Sequence, residues 1–177
     1  MNPIELIDKY CQNEKQKHIL LTHSISVANK AIAIAKQHPE IHADEKFIKE
    51  AALLHDIGIV YVNAPAIECY GKEPYIRHGI LGAEILRNEG LERHALVCER
   101  HTGTGLTLQQ IIEQGLPLPH CDMQPISIEE QIICFADKFF SKTRLDTEKT
   151  TEQARRSLEK FGSAGLEKFD KWCELFL

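Results

Sequence analysis

The sequence lacks two features that would place it in a membrane or on nucleic acid. No uninterrupted apolar stretch approaches the roughly 20 residues that span a bilayer, and the N-terminal segment has no basic region followed by an apolar one. Its 21 lysines and arginines are outnumbered by 26 aspartates and glutamates, which gives a formal net charge of −5. These absences argue against membrane association and generic nucleic-acid binding, and they predict a cytoplasmic protein.

Paired cysteines and strand-like patterns are missing as well. The six cysteines are scattered along the chain, and no two of them form a CxxC pair. A thiolate zinc site and a disulfide framework are therefore not expected. The alternation of apolar and polar residues that is typical of a half-buried strand is absent, and so are repeats and low-complexity tracts.

Helical periodicity fills most of the chain instead. Apolar residues and His23 recur at three- and four-residue steps over residues 19–34. Asp44 is a candidate N-cap for a second helix, whose apolar face is predicted to run from Phe47 to Gly58. Further helices are predicted over 77–90, where Gly90 ends the helix, and over 91–101.

Two capping boxes mark the starts of later helices, one formed by Thr107 with Gln110 and one by Ser127 with Glu130. The second of these helices is predicted to extend to residue 144. A final helix over about 151–175 has an apolar face that packs on the bundle or pairs with a second chain in a homo-oligomer. The sequence thus predicts an all-α fold, with one domain over residues 1–177, six to eight helices and a core over about 18–145.

Two proline-containing segments, 60–75 and 115–125, are predicted to be loops that are long enough to be functional. His120 and Asp122 lie in the second loop and are candidates for a further ligand or a substrate contact, although a solvated loop explains them equally well. Four other histidines have charged or polar neighbours and are predicted to lie at the surface: His18, His38, His42 and His94.

The stretch "AALLHDIGIV" at residues 51–60 places His55 and Asp56 in a strongly apolar context. Burying an ionised carboxylate is costly unless it is paired or coordinates a metal. His23 and Asp137 also lie in apolar helical contexts, and neither aspartate has an obvious partner cation nearby in sequence. Each residue alone is more often an ordinary core or capping residue, but the set of four favours a shared metal, with Mn, Fe, Co, Ni or Zn suited and Mg possible.

The pattern H…HD…D, with "HDIG" at 55–58, resembles the HD-domain superfamily of metal-dependent phosphohydrolases, in its HDIG type. The upstream histidine lies 32 residues before His55, and the last aspartate lies 81 residues after Asp56. The resemblance covers residues of about 18–145. It implies an all-α HD-domain bundle in which His23, His55, Asp56 and Asp137 hold a metal ion at the centre.

Two more histidines, His78 and His101, make the chain similar to the binuclear subgroup of that superfamily. There the HD aspartate bridges two divalent metals. The resemblance implies that Asp56, His78 and His101 hold the second metal, whereas the alternative is that these two histidines lie at the surface or contact phosphate. The layout of "IRHGILGAEIL" and "ERHTGTG" resembles bacterial HD proteins that cleave dinucleoside polyphosphates symmetrically more than it resembles the HD-GYP branch. The paired histidines and DGxGYP tail of the HD-GYP branch are absent.

Basic residues near these histidines are candidates for binding phosphate, with a solvated surface charge as the alternative for each. The superfamily often places a basic residue one to two turns after the last aspartate, which favours Arg144 as a catalytic and substrate-binding residue. Asp56 is the predicted metal bridge, and His101 is a candidate general acid, as are His120 and a metal-bound water. The complete set of basic candidates is Arg77, Arg100, Lys138 and Arg144.

The resemblance implies a metal-dependent phosphohydrolase with one or two divalent metals. Its expected partner is a small phosphate ester, a nucleotide or dinucleotide, cleaved at a phosphoester or phosphoanhydride bond by metal-activated hydroxide. Two alternatives stay open at this point. A di-iron HD-domain oxygenase uses the same kinds of ligand, and some HD domains are non-catalytic signalling modules.

Overall fold

The computed structural model describes residues 2–177, and about two thirds of these residues are helical. The all-α prediction is confirmed, although the nine α-helices of the described residues exceed the six to eight expected. The α-helices are α1 Pro3–Tyr10, α2 Glu14–Gln37, α3 Glu45–Leu54, α4 His78–Asn88, α5 Glu92–Arg100, α6 Leu108–Glu113, α7 Ile128–Asp137, α8 Thr151–Ser157 and α9 Ser163–Phe176. None of the helices within residues 2–177 is long and apolar enough to cross a membrane.

Short 3-10 helices and one small hairpin connect the α-helices. The hairpin pairs strand β1 (Asn63–Ala64) with strand β2 (Cys69–Tyr70) in antiparallel register, so that Asn63 faces Tyr70. It lies inside the segment that the sequence predicted to be a loop. The 3-10 helices are Pro39–Ile41, Ile57–Tyr61, Pro65–Ile67, Tyr75–Arg77 and Glu159–Phe161, and the strands are β1 Asn63–Ala64 and β2 Cys69–Tyr70.

The predicted helix starts are confirmed by their capping hydrogen bonds. The Asp44 side chain accepts a hydrogen bond from the Phe47 amide at the start of α3. Both capping boxes are formed, by Thr107 at α6 and by Ser127 at α7. Each cap satisfies an amide at the first turn of a helix and contributes about 1 kcal/mol. These local signals therefore determined where the helices begin.

The predicted helix ends are less accurate. Gly58 does not continue α3, because that helix stops at Leu54 and a 3-10 helix follows. The helix after Ser127 ends at Asp137 rather than near residue 144. The expected single C-terminal helix is two helices, α8 and α9, which are separated at Gly162, where φ is +90°. A left-handed backbone at this residue suits glycine and breaks the helical path.

Helix α2 packs against α3 and α7, and α4 packs against α5. Phe135 on α7 is fully buried and its ring lies 5.3 Å from Phe169 and 5.4 Å from Phe176, both on α9. The apolar face of the C-terminal helix is thus covered by the bundle itself. Burying each of these rings contributes about 1.5–3 kcal/mol. A homo-oligomer and a single domain over residues 1–177 both stay predictions.

One close backbone contact fixes the turn after α3 against α4. A Cβ atom added to Gly58 would lie 2.0 Å from the carbonyl oxygen of His78 and 2.3 Å from the amide nitrogen of Gly82. No real Cβ contact is that short, so only glycine allows the two segments to approach this closely. The contact brings the first residue of α4 next to the segment that carries His55 and Asp56.

Candidate metal centre

Six buried side chains converge where the ends of four helices meet the interior of a fifth, α2. His23 lies within α2, and Asp56 directly follows His55, the C-cap of α3. His78 is the first residue of α4 and His101 is the C-cap of α5. The sixth, Asp137, is the last residue of α7. The ends of helices, rather than flexible loops, therefore carry five of the six groups.

The first group of ligand atoms lies around one oxygen of Asp56. His23 Nε2 is 3.1 Å and His55 Nε2 is 3.0 Å from Asp56 Oδ2. Asp137 Oδ1 completes the group at 3.0 Å from His23 Nε2 and 3.4 Å from His55 Nε2. All four ligand atoms lie within 4.8 Å of one another, which is compact enough for one ion.

The second group lies around the other oxygen of the same carboxylate. His78 Nε2 is 3.5 Å and His101 Nε2 is 3.4 Å from Asp56 Oδ1, and the two histidine nitrogens are 2.9 Å apart. Asp56 therefore turns one oxygen toward each group. The structure brings together all six residues that the sequence nominated as metal ligands, in the two sets expected for a bridged pair.

Hydrogen bonds determine which nitrogen of each histidine is free. His55, His78 and His101 each place Nδ1 2.7 Å from the backbone carbonyl three residues earlier. A carbonyl oxygen only accepts, so each Nδ1 carries the proton and donates it. When these rings are neutral, each Nε2 carries a lone pair that points into the cluster.

The donor set fits a metal for this reason. His78 and His101 present two facing lone pairs at 2.9 Å, and two acceptors that close repel unless a cation lies between them. Within residues 2–177, His55 Nε2 and both Asp56 oxygens are buried without a hydrogen bond of acceptable geometry. Imidazole and carboxylate ligands, with backbone carbonyls orienting the rings from behind, are the usual environment of a divalent transition metal.

The pKa shifts distinguish the two groups. Burial, together with the neighbouring His101, lowers the pKa of His78 to about 3, and burial lowers that of His101, so both rings are neutral at pH 7. Burial also disfavours charge on His55, but Asp56 and Asp137 outweigh it and raise its pKa to about 9. The carboxylates thus favour positive charge in the first group, while the second keeps its lone pairs free.

Two lysines pair with the carboxylates, which corrects the expectation that no partner cation lies nearby in sequence. Lys138 Nζ lies 2.7 Å from Asp137 Oδ2 and donates to the carbonyl of His101 at 2.9 Å. Lys142 Nζ lies 2.6 Å from Asp56 Oδ2. Although burial opposes ionisation, these partners help to hold the pKa of each aspartate well below its usual range. The case for a metal therefore rests on the histidines rather than on unpaired aspartates.

Helix ends add to the electrostatic preference for a cation. Helices α3, α5 and α7 all point their C-termini at the cluster, through His55, His101 and Asp137. The C-terminal end of a helix carries a partial negative charge of about half an electron. Three such ends outweigh the one helix N-terminus at the cluster, that of α4 at His78, so together the helix ends favour a bound cation.

A cavity of about 500 Å³ opens above the cluster and is lined by His78, His101 and Asp137. Tyr75 borders it and stacks on the His78 ring, with the centroids 4.6 Å apart. Four lysines also line it, and Asp137 is the sole carboxylate in its wall. The lysines are Lys138, Lys142, Lys149 and Lys160. A cavity of this size and charge suits a small anionic molecule.

Three of the basic residues nominated from the sequence lie elsewhere. Arg77 pairs with Glu73 at 3.0 Å, and Arg100 pairs with Glu130 at 3.0 Å. Arg144 is exposed and borders a separate surface depression. None of these arginines lines the cavity above the cluster. For Arg144 the reason is that helix α7 ends at Asp137 and the chain beyond it turns Lys142 inward instead. Lys138 is the one candidate that lines it.

The structure shows where three further residues nominated from the sequence lie. His120 and Asp122 are exposed and away from the cluster, and Asp122 accepts a hydrogen bond from the Leu108 amide at the start of α6. His94 is buried rather than at the surface, because its ring packs edge-on against Phe47 with the centroids 4.9 Å apart. The neighbouring Arg93 covers the same ring, with its guanidinium carbon 4.0 Å from the Phe47 centroid.

Lys142 is the site residue that sequence reasoning missed. It follows Asp137 by five residues, which fits the spacing of one to two turns that was used to favour Arg144. The distinction requires knowing that α7 ends at Asp137, since a continuous helix would place the two side chains differently. A signal was present in the spacing, but it could not choose between the two cations.

The HD-domain family model matches residues 20–141, which include all six ligand residues. The chain therefore belongs to the HD-domain family. A relative from Methanocaldococcus jannaschii, described as an uncharacterized protein, is 31% identical over 89% of this chain and 85% of its own length. This relative shares the domain but carries no named activity.

Two further relatives are named tRNA (cytidine(56)-2'-O)-methyltransferase. The one from Thermoplasma volcanium is 32% identical over 86% of this chain, and the one from Picrophilus torridus is 33% identical over 76%. The alignments cover 40% and 35% of these relatives, so the chain spans less than half of their length. Most of each methyltransferase lies outside the shared region.

Two solved structures share the fold. The HD domain of the L. monocytogenes phosphodiesterase PgpH in complex with cyclic-di-AMP has a TM-score of 0.56 at 18% identity, covering 96% of this chain and 92% of that one. A second structure of that HD domain has a TM-score of 0.53 at 19% identity, covering 93% of this chain and 92% of that one. At this identity the likeness demonstrates a common fold.

Proposed function

We propose that the protein is a metal-dependent phosphohydrolase that cleaves a phosphoester or phosphoanhydride bond in a nucleotide or dinucleotide. The observation that carries the proposal is the pair of ligand groups that share Asp56 beneath a lysine-lined cavity. Family membership and the cyclic-di-AMP phosphodiesterase among the similar structures support it. The two metals and the nucleotide substrate are part of the proposal.

In this proposal His23, His55, Asp56 and Asp137 hold one divalent metal, and Asp56, His78 and His101 hold the second. A divalent metal pair supplies Lewis acidity, which neutralises phosphate charge and makes hydroxide available near neutral pH. The backbone carbonyls behind His55, His78 and His101 fix the direction of each Nε2. The groups that orient the ligand histidines are therefore backbone carbonyls of the same helical turns that carry them.

The remaining residues of the cavity bind and orient the substrate. Lys142 lies at the cavity wall beside Asp56, where its ammonium can hold a phosphate oxygen as a charge-assisted hydrogen bond. Lys138 keeps Asp137 in position. Both ring nitrogens of His101 are engaged, Nδ1 by a carbonyl and Nε2 by the cluster. We therefore assign His101 to metal binding rather than to proton donation.

The methyltransferase name of two relatives does not transfer to this chain. Their activity is stated for proteins of which the shared region is 40% and 35%, so the methyl-transfer chemistry can reside in the rest. The shared region in those proteins does raise RNA as a possible substrate. A short RNA therefore belongs in any substrate panel.

The first experiment measures metal content and hydrolysis together. Protein purified without chelator is analysed for metals and assayed with bis(p-nitrophenyl) phosphate, ATP, diadenosine tetraphosphate, cyclic di-AMP and a short RNA. We expect about two transition metals per chain, with hydrolysis that is lost on chelation and restored by Mn or Co. One metal per chain would support only the four-ligand group.

Other outcomes of the same experiment would overturn the proposal. Protein that binds no metal after addition of Mn, Co or Fe would be a non-catalytic module. Bound iron with oxygen uptake in place of phosphate release would identify an oxygenase. Hydrolysis confined to RNA would move the substrate class from nucleotides to nucleic acid.

Lys142 and Arg144 form a matched pair for testing the phosphate contact. We expect Lys142→Met to lower kcat/KM about 100-fold, because it removes a cation at the cavity wall beside Asp56. Arg144→Met should stay within about twofold, because an exposed charge outside the cavity is screened. Steady-state kinetics on both variants, with metal content measured alongside, tests this. An equal loss in the two variants would contradict the assignment of Lys142.

A further inference from the structure

The outer wall of the cavity comes from a segment beyond the family match. The HD-domain model ends at residue 141, whereas Lys149, Lys160 and Phe161 line the same cavity as His78 and His101. The residues of this wall follow α7 and surround the short helix α8. The metal ligands are thus a family feature, and this wall is contributed by this chain's own C-terminal part.

The lysines of the cavity differ in whether their charge is neutralised. Lys138 and Lys142 pair with Asp137 and Asp56 at 2.7 and 2.6 Å. Neither Lys149 nor Lys160 forms an ion pair with a carboxylate of residues 2–177. Within the described chain, the cavity therefore holds two ammonium groups without a carboxylate at ion-pair distance, although Asp137 lies in the same wall.

Lys149 is held close to the ligand region. Its Nζ donates to the carbonyl of Lys138 at 3.3 Å, and its backbone amide donates to the carbonyl of Phe139 at 2.8 Å. Burial lowers the pKa of Lys149; Asp137 opposes this shift, whereas the nearby Lys138 and Lys160 add to it. An anion between these ammonium groups would relieve that repulsion.

The Lys160 side chain is exposed, but the segment that carries it is anchored. The carbonyl of the adjacent Phe161 accepts a hydrogen bond from Gln110 Nε2 at 3.0 Å. The Phe161 ring packs over Gly103, where an added Cβ would lie 3.2 Å from Cγ of the ring. Gly103 lies two residues beyond His101, so the packing ties the outer wall to the ligand region.

We propose that Lys149 and Lys160 form a second phosphate subsite, so that the preferred substrate carries at least one phosphate group besides the one that is cleaved. The inference rests on the proposed phosphohydrolase function and narrows its substrate class. Nucleoside triphosphates and dinucleoside polyphosphates have this chemistry. A monophosphate ester reaches the metal ligands but leaves the two outer cations without a partner.

The test compares two substrates in two double variants. Lys149→Gln with Lys160→Gln removes the outer charges, and Lys46→Gln with Lys171→Gln removes two exposed charges that lie outside the cavity. We expect the first variant to lower kcat/KM for ATP at least about tenfold, because it loses charged hydrogen bonds to phosphate. Its kcat/KM for bis(p-nitrophenyl) phosphate should change less than about twofold, and the control should change neither.

Several outcomes would overturn the inference. An equal loss on both substrates would mean that the lysines support the fold or the metal centre. No loss on either substrate would mean that they do not contact phosphate. A loss on ATP that the control variant matches would mean that overall charge, rather than a subsite, attracts the substrate.

Binding separates this inference from the proposed function. If the wild-type protein hydrolyses no phosphate compound, the proposed function fails. Titration of inorganic triphosphate into the metal-loaded protein, in excess Mg²⁺, then tests the subsite by itself. Binding at least about tenfold weaker in the Lys149→Gln, Lys160→Gln variant than in the control would support the subsite, and equal binding would overturn it.

Discussion

Replacing Asp56 with asparagine is expected to remove both of the metals proposed above and to lower the proposed phosphohydrolase activity at least about 10³-fold. Asp56 is the one residue with an oxygen in each ligand group, at 3.0 Å from His55 Nε2 and 3.4 Å from His101 Nε2. Asparagine has nearly the same shape but lacks the charge and one of the two acceptors. Elemental analysis and steady-state kinetics on the purified variant measure both effects.

The fold should survive this substitution. Lys142 loses its carboxylate partner, but it borders the cavity and its ammonium can turn toward water. Circular dichroism should therefore show the helical content of the wild type. His101→Gln is the matched comparison, because it removes a ligand from one group and should leave about one metal bound. An Asp56→Asn protein with two metals and full turnover would refute the bridging assignment.

Replacing Gly58 with alanine is expected to destabilise the protein by about 3 kcal/mol or more. The new methyl group would meet the His78 carbonyl at 2.0 Å and the Gly82 amide at 2.3 Å, and both are backbone atoms that cannot rotate away. For a chain of this length the melting temperature should fall by about 10 °C. Thermal unfolding followed by circular dichroism measures the change.

Gly90→Ala provides the comparison for the Gly58 variant. Gly90 has φ of +75° and open space where a Cβ would lie, so alanine there costs only the strain of a left-handed backbone, about 1 kcal/mol. Its melting temperature should fall by about 3 °C. Gly58→Ala should also lose metal, because the shift displaces His78, whereas Gly90→Ala should keep it. Similar melting temperatures in the two variants would show that the close contact is not required.

The elements that the sequence predicted best are those set by local chemistry. Asp44, Thr107 and Ser127 each cap the helix that follows, and a cap depends only on residues within one turn. His55 and Asp56 nominated a metal site only together with His23 and Asp137, which also lie in apolar helical contexts. Helix ends were harder, since the stop of α7 at Asp137 depends on the tertiary packing around it.

The parts of the site that escaped prediction depend on contacts between distant residues. Lys142 reaches Asp56 across 86 positions of the sequence, and nothing local to either residue indicates that pairing. The same holds for the burial of His94, which follows from its contact with Phe47. Arg100 was a candidate for binding phosphate because of its position next to His101, but it forms an ion pair with Glu130, which also belongs to the α7 capping box.

The wide separation of the ligands in sequence has a consequence for how the protein matures. His23 and Asp137 lie 114 residues apart and meet only when α2 has packed against α7. The unfolded chain offers a passing ion no such arrangement, because closing so long a loop is entropically costly before other contacts form. Metal capture must therefore follow the assembly of the helices. The site that selects among competing cellular cations then already has its final shape. An ion that binds there stabilises the contacts between helices that have already packed.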